Sequence, residues 1–347
     1  MNTLYIRIAK KVDNTVFQVV DGQKKYWDPT FNKPLPYSSG QQVKRCIIEE
    51  IANSGNFQLA PTTFEVKIDK EKKSKDGQGG VLTACDPTFV DQLLGGYMNI
   101  TGKSNVKRRS PLSISAMRPI HPKLANIDKT KGSFDRRGRD NNIVRFIDSK
   151  TKEEIDINDA IIDEVLDSLE GAQKNFHTQF LPDLQQSTGI FVFDMAIDLN
   201  RLFTVKYDIL ETEITDEIRD KLIENGWDQV GNLFTLSAEK REMLIPHIVD
   251  GILNWRITSN QSRNFSMMEI LAVATSTNVH EVSGAIRAEL DQDEHAQLVL
   301  SDDAFITESA GAYSNSFNAS PTAINDARSK IIELLSKHNP AQEKVTL

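Results

Sequence analysis

The chain has 347 residues, 39% of them hydrophobic, and a formal charge of −8 from 41 Lys and Arg against 49 Asp and Glu. That length allows about two domains, or one domain with large insertions, and the apolar fraction is enough for a substantial core. No run of about 18 apolar residues occurs, which excludes an apolar transmembrane helix, and no membrane partner is expected.

The charge is unevenly divided. Residues 1–150 hold 26 Lys and Arg against 15 Asp and Glu, a balance of +11; residues 151–347 hold 15 against 34, a balance of −19. Residues 101–150 alone carry 13 basic and 4 acidic side chains. Clustered positive charge in an acidic protein points to a polyanion partner, although attraction between the two halves would use the same charges. The two cysteines, Cys46 and Cys85, stand in unrelated contexts. They build neither a metal spacing nor a disulfide framework, so a reduced, cytoplasmic protein is expected.

Along the chain, MNTLYIRIAKKVD alternates as a strand and turns basic after its apolar part, the reverse of a secretory leader. VFQVVDGQKKYW (16–27) continues as a second strand into an Asp-Gly turn. Pro34 and Pro36 hold an extended segment before Ser38 and Ser39, either of which is a good N-cap. Val43, Ile47, Ile48 and Ile51 then predict a helix over about 40–53, closed by Asn53-Ser-Gly. Residues 67–80 (KIDKEKKSKDGQGG) read as an exposed loop and 86–99 as a short helix closed by Gly95-Gly96. The strip TGKSNVKRRSPLSISAMRPIHP (101–122) holds Lys103, Lys107, Arg108, Arg109 and Arg118 without an acid. Residues 129–146 read as a basic loop leading to a strand, and 157–173 as an acidic amphipathic helix.

GIFVFDMAIDLNRLFTVKYDIL (189–210) gives two strand patterns joined by a turn at Asp198-Leu-Asn. Helices are predicted over 215–228 and over 237–255, the latter capped by Ser237 and kinked at Pro246. A polar turn leads to an apolar strand, Met268 to Val273, and two further helices lie near 280–290 and over 321–338. With the irregular middle set aside, the order is strand, helix, strand, strand, helix, strand. That is the ferredoxin-like, RNA-recognition-motif order. The expectation is an α+β fold: a palm of 1–53 and 189–276, a basic insertion over 54–188, and a helical acidic tail over 277–347.

No catalytic constellation stands out. His121, His177 and His247 have no second His or Cys at ligand spacing and read as surface or packing residues. There is no nucleophile elbow, P-loop or dinucleotide fingerprint. Acid clusters such as Asp216/Glu217 and Asp291/Asp293/Glu294 read as solvated faces. A binding protein without catalysis, cofactor or metal is expected. Three segments carry the binding signal. SSGQQVKR (38–45) puts small residues at a helix N-terminus, where free amides favour a phosphate, with Lys44 and Arg45 following. KRRSPLSIS (107–115) brings arginines suited to bidentate phosphate contact. NWRITSNQSRNF (254–265) is a polar loop with Arg256, Asn260, Gln261 and Arg263. Each has a plainer reading as solvated helix residues or an ordinary turn.

Together these segments resemble the backbone subunit of the type I CRISPR surveillance complex, Cascade: the Cas-seven family, with its DevR-type branch, in the RAMP superfamily. LPYSSGQQVKRCI is similar to that family's Ser-Gly-Gln segment with following basic residues, KRRSPLSISAMRPIH to its Arg-Ser-Pro-Leu segment, and FDMAIDLNRLF to its strand and Asp-Leu-x-Arg-Leu turn. TSNQSRNFSMMEILAVAT lies where the family has a glycine-rich loop and last core strand, and the match spans about residues 1–276. The resemblance implies a palm with finger and thumb insertions, the thumb near 208–237. It implies copies stacked head to tail along one crRNA guide, pairing of that guide to target DNA, other Cascade subunits as partners, and a role in antiviral defence. It implies that Ser39, Gly40, Gln41, Lys44 and Arg45 hold guide phosphates, with Lys107, Arg108, Arg109 and Ser110 beside them. The loop at 256–265 has no glycine, so its contact would fall to the side chains Arg256, Asn260, Gln261 and Arg263. Two alternatives are a RAMP-type ribonuclease using Asp135 or Asp140, and a DNA-binding autoregulator, for which no helix-turn-helix pair is found.

Overall fold

The computed structural model describes residues 2–17, 23–66, 68–69, 74–75, 80–101, 104–130, 147–148, 150–154, 184–208, 210–258, 265–314 and 318–338. Residues 1–126 and 187–347 make one compact unit and residues 127–186 a second. The first begins with β1 (Thr3–Thr15), a hairpin of β2 (Lys25–Asp28) and β3 (Lys33–Pro36), and α1 (Gly40–Gly55). β4 (Thr62–Glu65) pairs with β7 (Gly80–Thr83) around the short pair β5 (Ile68–Asp69) and β6 (Ser74–Lys75). Then come α2 (Val90–Gly95), the hairpin of β8 (Tyr97–Thr101) and β9 (Ser104–Arg108), and the short strands β10 (Leu112–Ile114), β11 (Arg118–Pro119) and β12 (Ala125–Thr130). β13 (Leu184–Asp198) is followed by α3 (Leu199–Leu202), β14 (Thr204–Lys206), α4 (Asp216–Glu224), β15 (Asp228–Val230), β16 (Leu233–Thr235) and α5 (Ala238–Asn254). The chain ends with β17 (Ile270–Ser276), α6 (Val279–Ala285), β18 (Ile286–Leu290), β19 (Ala296–Leu300), β20 (Phe305–Ile306), α7 (Glu308–Ser314) and α8 (Ala323–Ser336).

The central sheet runs β10-β13-β1-β17-β20, with β11 and β12 also on β13. β1 pairs antiparallel with both β13 and β17, in register Thr3↔Asp198 and Tyr5↔Ser276. The four palm strands, taken in chain order, therefore lie 2-3-1-4, antiparallel throughout, which is the ferredoxin-like, RNA-recognition-motif-like arrangement expected. They are not the strands expected. The second palm strand is the edge segment β10 and β11, and the third is β13; β14 leaves the sheet to pair with β16. The turn expected at Asp198-Leu-Asn is one turn of helix, α3, capped by the Asp198 carboxylate.

Alternation along β1 turns Leu4, Ile6, Ile8 and Val12 to one face. On α1 the stripe Val43, Ile47 and Ile51 meets them, each apolar side chain contributing about 1.5–3 kcal/mol by burial, and Ile48 is buried beside it. Ser39 caps α1 by accepting from Gln42 N, and Asn56 closes it in the left-handed conformation. α5 is capped by Ser237 and continues through Pro246. The tail expected to be helical also carries β18, β19 and β20. Its α8 packs Ala327, Ile331 and Leu335 into the same core, and Arg328 clamps Asp250 of α5 at 2.5 and 3.0 Å. On the opposite face of the sheet, Ala9, Ile190, Ala272 and Ala274 form a second cluster with Val282, Ile286, Leu298 and Ala310. The sheet is thus covered on both faces. Among the described residues, no helix is long and apolar enough to cross a membrane.

Lys10 interrupts the apolar face of β1. It is 1% exposed, donates to the Trp255 carbonyl at 2.8 Å beyond the end of α5, and lies 4.5 Å from the Trp255 ring centroid. Burial, with Arg256 adding to it, lowers the Lys10 ammonium to about 7. Between that value and the ordinary lysine value the unfolded chain holds the extra proton, so stability rises with pH there. Cys46, pushed up to about 11 by burial, opposes this above pH 9. Unfolding free energies from denaturant titrations at pH 7 to 8.5 should therefore rise for the native chain, by at most about 1.4 kcal/mol per pH unit, and stay flat for Lys10→Met. Equal slopes in the two proteins would contradict the burial of a titrating amine here.

Candidate nucleic-acid interface

The cationic strip is a strand at its centre, and strand alternation decides what each residue does. Val106 and Arg108 of β9 point inward and are buried, while Asn105, Lys107 and Arg109 are exposed. Arg108, only 3% exposed, is therefore a correction to the expected phosphate contacts. Its guanidinium donates to the Leu93 carbonyl at the end of α2, to the Arg201 carbonyl in α3 at 2.6 Å and to the Thr204 carbonyl at 3.2 Å. Burial lowers its pKa, with Tyr97 and Glu213 opposing. Its terminal nitrogens are spent on main-chain carbonyls and its Nε is buried without a partner, so the guanidinium is closed off from the exposed side of the strand.

The exposed side of β9 opens into a cleft of about 400 Å³. Lys107, Arg109, Arg201 and Lys206 line it, with Asn105, Glu211 and Glu213. Glu213 is buried and committed: it pairs with Arg201 at 3.1 Å and accepts the Lys206 amide at 2.9 Å. Lys107 N bonds the Thr212 carbonyl at 3.3 Å, which ties the strip to the far wall. Lys107, Arg109 and Lys206 form no ion pair among the described residues. The cleft is a cationic, hydrogen-bonding recess suited to phosphate oxygens. Arg201 and Lys206 were not singled out from sequence, because about 100 residues separate them from the strip; the only local signal was the basic pair in NRLFTVK.

The α1 segment and the strip do come together. Ser38 exchanges backbone hydrogen bonds with Met117 at 3.0 and 2.9 Å, and Lys44 Nζ donates to Ser110 Oγ at 2.9 Å. Burial lowers the Lys44 pKa. Two glycines permit this approach: a Cβ on Gly40 would stand 2.3 Å from the Ile114 carbonyl, and one on Gly96, at φ +73°, 2.5 Å from Ser110 N. Ser39 is engaged as the helix cap and Ser110 as a hub for Lys44 and the Leu112 amide. Gln41 and Arg45 are exposed, the latter paired with Glu49 at 2.7 Å. Arg256 is exposed and stacks over Phe265, 5.4 Å from the ring centroid. Asn260, Gln261 and Arg263 lie outside the described residues, as do Asp135, Asp140, His177, the helix expected over 157–173 and most of the loop at 67–80. His121 packs edge-on to Phe31, and His247 to Phe57. Among the described residues, no group of three His, Cys, Asp or Glu is placed to hold a metal.

No protein-family model matches the chain, and no curated protein matches it. Among solved structures, the chain is similar to a chain of a CRISPR RNA-guided surveillance complex described as pre-nicking, with a TM-score of 0.45 and 11% identity over 79% of this chain and 77% of that one. It is also similar to a chain of a CRISPR RNA-guided surveillance complex with a TM-score of 0.42 and 9% identity, over 94% of this chain and 99% of that one.

Proposed function

We propose that this chain is a non-catalytic guide-RNA-binding subunit of a type I CRISPR surveillance complex, of the Cas-seven type, coating crRNA head to tail. The observation that carries this reading is the cleft lined by Lys107, Arg109 and Lys206, which form no ion pair among the described residues. The four segments that resemble the family in sequence supply the class. Phosphate contacts fix the register of a strand without reading it, and guide–target pairing would read target DNA. Base-reading RNA modules stack bases on an open sheet face; here residues of 279–310 fill that face. Subunits joined by unlike surfaces form an open row, as coating one guide with several copies requires.

Nucleic acid extracted from the protein purified from its host should be a small RNA of uniform length. In salt titrations with single-stranded RNA, the double variant Lys107→Ala/Arg109→Ala should lower the slope of log K against log salt by about 0.7 for each lost contact, equally for unrelated sequences. An unchanged slope would remove the cleft from the RNA path. Cleavage of complementary RNA in magnesium would instead move the chain to the ribonuclease class.

Arg108→Ala should behave in the opposite way. Its three carbonyls lose their donor, so the expected cost is about 1–3 kcal/mol of stability, with the salt slope intact. A melting curve alongside the titration separates the two outcomes.

A further inference from the structure

The chain has three tryptophans, and two, Trp227 and Trp255, are buried. The third, Trp27, is 59% exposed on the β2–β3 hairpin. It stands opposite Pro34 in the ladder, and Lys25, two residues back on the same face, is also exposed. The inner face of the hairpin is anchored. Leu35 is buried, and Tyr26 lies under the Arg118 guanidinium, 5.0 Å from ring centroid to carbon, and edge-on to Tyr37 at 5.9 Å. The Tyr37 amide bonds the Lys24 carbonyl at 3.2 Å. The indole is therefore presented on a braced support.

Its surroundings are cationic. Lys24, Lys25, Lys33 and Arg118 form no ion pair among the described residues. The acid of the hairpin, Asp28, accepts from the Thr30 and Phe31 amides at 3.0 and 2.9 Å and so closes the turn. The patch adjoins the α1 N-terminus, where Lys24 Nζ lies 3.5 Å from Ser39 Oγ. Single-stranded nucleic acid is held by this combination of basic groups for the backbone and an aromatic face for a base. A protein partner would favour a desolvated apolar surround; Trp27 has lysines and a proline beside it. We propose that Trp27 is a stacking platform for one base of single-stranded RNA whose phosphates lie along Lys24, Lys25 and the start of α1. This rests on the guide-RNA reading above. It adds a base contact that is indifferent to sequence, since every base offers a π face.

With Trp227 and Trp255 buried, Trp27 is the solvent-accessible fluorophore, so its emission reports the contact directly. The full chain is titrated with an oligoadenylate and with a base-free ribose-phosphate oligomer of the same length. Both should bind, and only the oligoadenylate should quench. Trp27→Ala should bind the base-free oligomer as the native chain does and the oligoadenylate about 5- to 150-fold more weakly, with Trp27→Phe in between. Two oligomers that bind without quenching, or a Trp27→Ala variant with native affinity for both, would overturn the platform and leave the phosphate reading standing. If neither oligomer binds the native chain, both readings fall. Native RNA affinity with reduced self-association of Trp27→Ala in sedimentation would overturn the platform and give the surface to a second copy of this chain.

Discussion

The buried guanidinium of Arg108 organises the region in which the cationic residues gather. A cation taken out of water needs hydrogen-bond acceptors, and here three main-chain carbonyls from α2, α3 and the start of β14 supply them. The Leu93 carbonyl lies in the last turn of α2, where a helix leaves acceptors without an intrahelical donor, so there the one side chain answers both needs. The planar fork reaches several acceptors at once, which a lysine ammonium on its flexible stem would not reproduce. With Arg108 fixed inward, strand geometry turns Lys107 and Arg109 outward. The cleft is a consequence of that inward anchor.

Glu213 sets the electrostatic balance on the other wall. Its carboxylate holds Arg201 and the Lys206 amide, its amide bonds the Lys206 carbonyl, and its own carbonyl accepts the Tyr97 hydroxyl at 2.7 Å. An acid so fully engaged neutralises one arginine and positions a lysine. The cleft keeps a net positive face although the chain as a whole is acidic. Net charge was therefore a poor guide to this surface, while the local density of Lys and Arg over 101–150 was a good one.

What could be read from sequence follows how local its cause is. β1, α1, α4, α5 and α8 were legible because period-2 or period-3.6 apolar patterns and N-caps lie within each segment. The palm order was also legible, though two of its strands were misassigned. The true second strand is an edge segment broken by Ser115-Ala116 and bounded by Pro111 and Pro119, so it never shows a long apolar run. The pattern at 204–206 is a strand, but it pairs with β16 and not with the palm. Arg108 was read as a phosphate contact because clustered arginines suit phosphate; its burial depends on carbonyls far along the chain. Arg201 and Lys206 reach the cleft only through the fold. The tail looked helical because its strands β18 and β19 are short and pair only with each other.

Closing the second face of the sheet has a further consequence for where a polymer can lie. With Ala9, Ala272 and Ala274 under α6, β18 and β19, the sheet offers no flat platform, and its small residues are there because another layer packs on them. What remains open is the side on which the edge strands meet the first half of α1. Two cationic surfaces converge on it: the cleft, joined to α1 through Ser110 and Lys44, and the hairpin, joined through Lys24 and Ser39. α1 rises about 1.5 Å per residue, so Ser39 and Lys44 stand about 7.5 Å apart along it, little more than the spacing of successive phosphates in an extended strand. One rigid helix, pinned to the edge strand by the close approach at Gly40, thus fixes both surfaces relative to each other before any ligand arrives, which lowers the ordering cost that binding would otherwise carry.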